Sequence, residues 1–417
     1  MLVYKFGGAS IKNAKAIKEM VKIVRQCNDN VIVVVSAMGK TTNKLEHITR
    51  LWFDRKDFDD ALQELIDYHQ TIIADLFQQH VPDNLFSIYD DLRGKLRQSP
   101  SLDYNFEYDQ IVSFGELMST TIISSYFNIL DTKAHFIDVR EVVRTDRNFK
   151  QAGVIWSLTK RFALERFTFE NYNIYITQGF IAGSTNNQTT TLGREGSDYS
   201  AALLASACGA QKLVVWKDVP GIMNADPVWM SDAQKIDALS YKEAIELTYY
   251  GAKVIHPKTI KPLQENKIPL IVNSFINPNK EGSTIGDVDD SQYKMPVYIR
   301  KQNQVLVSIR PKTPEFVAET DISHIFELLA GNNISVQLAQ MSAASFTVCV
   351  DFVKDVFELL LKDLQANYHV RFNEKVEIIT IRNYTDESLN RIKKNNDILI
   401  EQRTRRTAQF VKLMEHN

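Results

Sequence analysis

Hydrophobic positions along the chain fall into short continuous runs separated by amphipathic stretches. Residues 31–35 read VIVVV, a run of β-branched side chains with no polar face. Such a run predicts a strand buried on both sides, the habit of parallel sheets. Residues 2–6 form a second apolar run, bounded by Gly7 and Gly8, and a helical pattern follows from Ile11 to about Cys27. Strand, helix and strand recur at ITQGFIAG (176–183), 198–208 and KLVVW (212–216). This alternation predicts an α/β layer fold with right-handed crossovers. Residues 45–98 differ: Leu62, Leu65, Ile66, Ile72, Ile73 and Leu76 recur at helical spacing, which predicts a helical insertion.

The segment 277–296 is rich in Asn, Gly, Asp and Pro and marks a boundary between domains at 1–288 and 297–417. Beyond it the pattern changes. A strand at 305–310, a helix near 320–331, a hairpin at 334–338 and 345–351, a helix at 353–366 and a strand around 370–381 give the order βαββαβ. That order is the ferredoxin-like α+β unit. A helix near 385–394 and strands at 397–402 and 406–413 follow, a shortened second unit.

Composition narrows the class. A chain of 417 residues fits about two or three domains. Its 44% hydrophobic and 24% charged residues are those of a globular protein. A net charge of −2 leaves no global basic field to gather nucleic acid or an anionic membrane. The cluster Arg403, Arg405 and Arg406 reads as a solvated strand face. Cys27, Cys208 and Cys349 match no metal spacing and point to a reducing compartment. The start MLVYKFGGAS has no signal-peptide character, and no apolar run approaches the roughly 18 residues of a membrane span. The expected location is the cytoplasm.

Several segments carry chemistry. In KFGGAS, a strand ending at Lys5 and Phe6 runs into Gly7 and Gly8 and then a helix. Glycines let a backbone approach an anion, and helix N-termini supply free N–H groups. Alone, such a turn is more often structural, and no GxxxxGK[ST] loop is present. Ser36, Gly39 and Thr42 lie in the loop after the buried strand, where open α/β sheets bind ligands; a polar turn with a helix cap reads the same way. Glu116 stands in the apolar stretch VSFGELMS and needs a cationic partner, either a neighbouring side chain or a ligand ammonium. The most specific segment is 179–205, where consecutive threonines lead into Gly193-Arg194-Glu195-Gly196-Ser197-Asp198 before a helix. Arg194 can hold a carboxylate bidentately, and Asp198 is placed either for chemistry or to cap the helix. WKDVPGIMNADP (216–227) reads as a strand and a nucleotide-sized turn, and YYGAKVIHP (249–257) places Lys253 beside Gly251. His256 reads as structural.

Taken in order, KFGG, SA, S-x-G-E, TTLGR-x-GSD, W-x-DV-x-G, DP and GAKV-x-HP resemble the aspartokinases of the amino-acid kinase superfamily over residues 1–286, and the tail resembles their ACT regulatory region. The resemblance implies an amino-acid-kinase-like, mainly parallel sheet sandwiched by helices, with an insertion that closes over substrate. It implies transfer of the γ-phosphoryl of ATP to L-aspartate, giving 4-phospho-L-aspartate on the way to lysine, threonine and methionine. Lys5 then balances charge on the moving phosphoryl group, and Asp198 orients Lys5. Gly7 and Gly8 bring N–H donors to the phosphates. Thr42, Glu116, Arg194 and Ser197 bind aspartate, with Glu116 on the ammonium and Arg194 on the α-carboxylate. Lys217, Asp218 and Lys253 contact the nucleotide. Mg²⁺ is held by phosphates and water, with no residue assigned as its ligand, and the ACT-like region implies a homodimer.

The chain departs from the family pattern at Ala9 (for threonine), Glu195 (for glycine), Lys217 (for threonine) and Val228 (for arginine). Glu195 adds charge beside the phosphate region unless its side chain points away, and Lys217 partly offsets the arginine. A degenerate kinase serving as an amino-acid-sensing or scaffold subunit is the competing reading. A kinase of glutamate or acetylglutamate fits less well with Glu116 and the tail. Lysine-inhibited relatives carry a VDLITTSE-like strand and an R-G-F loop. Here VQLAQMSA (336–343) puts Gln337 at the acid, and PEF (314–316) puts Glu315 at the glycine. The expectation is weak or absent lysine inhibition, with a relocated site on Glu315 as the alternative.

Overall fold

The structure is a computed structural model that describes residues 1–78, 81–82, 85–130, 132–252, 255–289, 294–313, 316–394 and 397–414. The chain begins with β1 (Leu2–Phe6), α1 (Ala14–Arg25) and β2 (Val31–Val35). Five helices follow: α2 (Thr41–Phe53), α3 (Asp59–Phe77), α4 (Ser87–Leu96), α5 (Tyr104–Val112) and α6 (Phe114–Ile129). Next come β3 (Ala134–Phe136), β4 (Arg144–Thr145), α7 (Trp156–Arg166), β5 (Ile174–Gln178), β6 (Ile181–Ser184), β7 (Thr189–Thr191), α8 (Gly196–Ala207) and β8 (Lys212–Lys217). Then β9 (Ile222–Met223), β10 (Lys235–Ile236), β11 (Ala238–Ser240), α9 (Tyr241–Tyr249), α10 (Pro257–Glu265), β12 (Leu270–Ser274) and β13 (Ser283–Gly286). The C-terminal part holds β14 (Val297–Pro311), α11 (Glu319–Gly331), β15 (Val336–Met341), β16 (Phe346–Asp351), α12 (Lys354–Asn367) and β17 (Tyr368–Arg382). It closes with α13 (Asp386–Lys393), β18 (Ile398–Arg403) and β19 (Thr407–Leu413). The chain divides into two compact units, Met1–Ile222 with Lys235–Ile245 and Val254–Asp290, and Met223–Gln234 with Glu246–Lys253 and Ser291–Asn417.

An eight-stranded sheet in the order β11-β13-β12-β8-β1-β2-β5-β3 organises the first unit. Every pairing in it is parallel except β12 with β13. All five residues of β2 are buried, as a strand covered on both faces requires. Val31, Val33 and Val35 join Leu2 and Phe6 in a core shared with α1 to α6. Alternation sends Lys5, Ile32 and Val34 to the other face, where α8 lies. That helix is almost wholly buried and built of small residues, Ser200, Ala201, Ala202, Ala205, Ser206 and Ala207, as close approach to a sheet demands.

The expected helices at 45–98 are α2, α3 and α4, and the six apolar residues read from the sequence form the buried stripe of α3. Two local expectations change. The helix expected from Ile11 begins at Ala14, because Asn13 caps it by accepting the Ala16 amide at 2.9 Å, and Gly8–Ile11 forms a 3₁₀ turn instead. The single strand expected at 176–183 is two strands, because the chain leaves the sheet after Gln178 and Phe180 turns at φ 65°.

The second unit contains a six-stranded antiparallel sheet, β15-β16-β14-β17-β19-β18. The order β15-β16-β14-β17 with α11 and α12 is the expected ferredoxin-like βαββαβ unit. Val305, Val307, Ile309, Phe346, Val348 and Val350 pack under Ile325 and Leu329 of α11 and Phe357, Leu360 and Leu364 of α12. β14 and β17 run 15 residues each and continue past an irregularity at Lys301–Leu306 into a second half with α13, β18 and β19. There Tyr298, Ile379, Ile381, Ala408 and Phe410 pack against Leu389 and Ile392 of α13. This shortened second half therefore shares two of its strands, β14 and β17, with the ferredoxin-like half.

Ile176 of β5 is fully buried in the main core. Ile176→Ala is expected to lower the unfolding free energy by about 2–5 kcal/mol through lost burial and a residual cavity. A urea titration checks this: the midpoint falls while the slope is unchanged.

Candidate active site

β1, β2, β5 and β8 are parallel neighbours, so their C-terminal ends open together onto loops, where such sheets bind ligands. Lys5 lies one residue from the end of β1, between Val34 of β2 and Val215 of β8. Its ammonium meets the Asp198 carboxylate at 2.6 Å, with side-chain exposures of 11% and 5%. Burial alone raises the pKa of Asp198, but the charges of Lys5 and Lys217 and the bond from Lys5 outweigh it and hold the carboxyl below its ordinary value. Asp198 is therefore a first-turn ion-pair partner. It is not the cap, since the N-cap position is Glu195.

Gly7 and Gly8 carry the chain past this pair. A Cβ on Gly8 would stand 2.7 Å from the Ala37 carbonyl oxygen and 2.8 Å from that of Gly39, so only glycine fits. The Gly39 amide donates to the Gly8 carbonyl at 3.0 Å and locks the two loops together. The same loop receives Glu116 from the first turn of α6. Its Oε1 accepts the Ala37 amide at 3.0 Å, while Oε2 is buried with no hydrogen-bond partner. Burial pushes the Glu116 carboxyl up to about 8, against the opposing bonds from Ala37 and its own amide and the charge of Lys5. A buried carboxyl oxygen without a partner calls for an explanation, which a bound ligand would supply.

Ser197 is buried in the first turn of α8, and a Cβ on Gly179 would touch it at 2.6 Å, so the ends of β5 and α8 close on each other. Thr42 is half-buried at the start of α2, and Lys217, at the end of β8, is half-buried within electrostatic reach of Asp198. Arg194 and Asp218 are exposed. Lys253 lies outside the described residues. The fold thus gathers Lys5, Gly7, Gly8, Glu116, Ser197, Asp198 and Lys217 at one edge of the sheet. Arg194 and Asp218 stand on loops of that edge.

The amino acid kinase family matches residues 1–274. Lysine-sensitive aspartokinase 3 of Escherichia coli (strain K12) is 31% identical over 409 residues, covering 91% of this chain and 86% of that one. The aspartokinase of Chlamydia trachomatis serovar D is 32% identical over 353 residues, covering 83% and 79%. The solved structure of E. coli aspartokinase III in complex with aspartate and ADP (R-state) superposes with a TM-score of 0.81 at 27% identity, covering 99% of this chain and 96% of that one. The chain belongs to the amino acid kinase family, among the aspartokinases.

Its departures from the aspartokinase pattern now have physical readings. Ala9 is exposed, so the missing hydroxyl leaves no buried gap. Val228 is 96% exposed. Lys217 adds a second cation beside Asp198. Glu195 sits at φ 54°, ψ 28°, the left-handed region that explains the glycine of relatives and costs another residue about 1–2 kcal/mol. Its Oε2 accepts the His256 amide at 3.0 Å, so this bond turns its carboxylate to the start of α10. His256 is structural, as read from the sequence: its Nδ1 accepts the Lys258 amide at 3.1 Å and caps α10.

Two supporting residues escaped the sequence reading. Asp109 of α5 is fully buried and accepts the Thr191 hydroxyl at 2.7 Å and the amides of Thr191 and Lys150 at 2.9 and 3.0 Å. Burial raises its pKa to about 6 against those bonds. It fixes β7, which leads directly to Gly193 and Arg194. His69 of α3 lies within the apolar stripe. Its Nδ1 meets the Leu65 carbonyl at 2.8 Å and so carries the proton, leaving Nε2 to accept from Thr41 at 3.3 Å. Burial lowers its pKa to about 4, so it is neutral at pH 7. Its sequence signal was a polar residue at a core position of a helix.

Glu116 sets up a test. Its folded pKa, about 8, lies above its ordinary value of 4.5. The raised value means its contribution to stability is fully present below 4.5 and is lost as pH rises toward 8. Glu116→Gln, which never ionises, is expected to be more stable than the native chain by about 2–3 kcal/mol at pH 7 and little different at pH 4.5. Urea melts at the two pH values check this. An equal effect at both would mean that the acid is ionised in the folded chain.

Proposed function

We propose that residues 1–288 form a catalytic domain that transfers the γ-phosphoryl group of MgATP to the side-chain carboxylate of L-aspartate. The observation that carries this reading is the pairing of a buried lysine beside a glycine turn with a buried, half-satisfied carboxylate at the same strand ends. The first suits a phosphoryl group, the second an ammonium.

The nucleophile is a carboxylate already ionised at neutral pH, so no general base is needed. An oxygen of the aspartate side chain attacks Pγ, the bond from Pγ to the β,γ-bridging oxygen breaks, and ADP leaves. The barrier is the approach of two anions and the charge on the equatorial oxygens, so catalysis is positioning plus electrostatics. Lys5 balances that charge, held in place by Asp198. The amides of Gly7 and Gly8 and the Lys217 ammonium face the phosphates, with Asp218 and Lys253 on the nucleotide. Glu116 accepts the substrate ammonium, Arg194 clamps the α-carboxylate, and Thr42 and Ser197 line the acceptor. Magnesium enters as part of the nucleotide substrate. Asp198 is committed to Lys5, and among the described residues no three His, Cys, Asp or Glu side chains converge to cage a metal. Among the described residues no helix is long and apolar enough to cross a membrane. The free cysteines Cys27, Cys208 and Cys349 fit a reducing compartment, and we place the enzyme in the cytoplasm.

Residues 297–417 we read as an ACT-like region that pairs with a second copy of the chain. β15 is an edge strand and its last residue, Met341, is exposed, as are Phe326 of α11 and Phe316, whose neighbour Val317 donates its amide to the Ala343 carbonyl just past β15.

The first test is a coupled assay of ADP release with L-aspartate. Lys5→Met is expected to lower kcat by at least about a hundredfold, since its charge acts mainly in the transition state. Arg194→Ala is expected to raise the aspartate KM roughly ten- to a hundredfold while nucleotide binding holds. No aspartate-dependent ADP release from the native chain would favour an amino-acid-sensing subunit.

A second test concerns feedback. Gln337 cannot offer a charge-assisted bond to an ammonium. Its Nε2 donates instead to Asp351 at 3.3 Å, and Asp351 is already paired with the Lys301 ammonium at 2.8 Å. Glu315 lies outside the described residues. Millimolar lysine is expected to change the rate at sub-saturating aspartate by less than about twofold, because an effector acts only through differential affinity for two states. Strong inhibition, abolished by mutating residues 313–316, would place a working site on that loop.

A further inference from the structure

Glu195 is a departure that the proposed chemistry leaves without a role, and its side chain makes a specific contact. A residue held at φ 54° without being glycine needs a compensating contact. Its side chain makes no bond to its own helix. It reaches 61 positions along the chain and accepts the His256 amide at 3.0 Å. His256 is the N-cap of α10, with Pro257 at the first helical position, so the Glu195 carboxylate also stands at the favourable end of that helix dipole. At the far ends of the same two helices, the Asn266 amide donates to the Ser206 hydroxyl at 2.6 Å. α8 and α10 therefore run side by side in the same direction and are bridged at both ends.

This bridge joins two loops with different tasks. One carries Gly193 and Arg194 into α8. The other carries Ile255 and His256 into α10, two residues after Lys253. We infer that Glu195 is a positioning residue that couples the acceptor loop to the nucleotide loop, an inference resting on the roles proposed above for Arg194 and Lys253. With the bond in place, the start of α10 is fixed relative to Arg194 before either substrate arrives. Without it, that order must be created on binding, and the cost falls on the nucleotide.

The full-length chain tests this with Glu195→Gly and Glu195→Gln. The glycine variant suits the backbone angle but loses the acceptor; the glutamine variant keeps an oxygen for the His256 amide. Glu195→Gly is expected to raise the ATP KM roughly two- to tenfold, as loss of one hydrogen bond implies, with the aspartate KM changed less. Glu195→Gln is expected to recover most of the loss. A purely structural residue would instead move the melting temperature and leave both KM values alone. Amide hydrogen exchange supplies a readout independent of activity: exchange across residues 255–258 is expected to speed up in Glu195→Gly and to be intermediate in Glu195→Gln. Unchanged exchange overturns the link itself. Faster exchange with an unchanged ATP KM leaves the link standing and overturns its coupling role. A native chain that releases no ADP with aspartate sinks the functional reading, and the coupling with it, whatever the exchange shows.

Discussion

The buried ion pair between Lys5 and Asp198 sets the terms for the rest of the site. A lysine inside a parallel sheet is tolerable only with a partner, because an isolated buried charge is costly. The partner arrives from α8, so that helix must lie with its first turn over the end of β1. This explains its composition of alanine and serine, which lets it sit close. A single pair, however, is neutral and offers little to an anion. Lys217 adds a second cation within electrostatic reach of Asp198. Removing either member of the pair leaves an uncompensated buried charge, a loss of about 3–5 kcal/mol. The stability of the fold is therefore tied to this pair.

Glu116 presents the opposite case. Its carboxyl is buried with one oxygen unsatisfied, so it destabilises the unliganded fold at neutral pH. Binding sites commonly hold groups that folding alone would not select. The surrounding structure compensates with rigid support. Glu116 is bonded to the Ala37 amide, the Gly39 amide to Gly8, and Thr41 rests on neutral His69. Asp109 does the same for β7 and the loop to Arg194. Each support uses a buried polar group whose partner comes from a distant part of the chain, which is how a site assembled from loops is kept in one geometry.

Much of the fold was legible because its signals are local. VIVVV has no polar face, α3 repeats its apolar residues at helical spacing, and the order of strands and helices after residue 297 matches one known unit. The paired glycines of KFGG were legible for the same reason: the close approach of the chain to Ala37 and Gly39 leaves no room for a Cβ at Gly8. Boundaries were read less well where a side chain decided them. Asn13 moved the start of α1, and the left-handed turn at Phe180 split one expected strand in two.

The sequence by itself determined the layer fold and the ferredoxin-like second unit, marked Glu116 as an acid that needs a partner, and through the family resemblance singled out Lys5, Arg194 and Asp198. The tertiary structure decided how they are held. It matched Lys5 with Asp198, left one oxygen of Glu116 open, and turned Glu195 toward His256. It also revealed Asp109 and His69, which carry no motif. The physical reason is range. Periodicity and turn chemistry act over a few residues, whereas Asp109 meets Thr191 across 82 positions and Glu116 meets Ala37 across 79. Whether a charge is buried, and beside what, exists only once the sheet and its helices have packed.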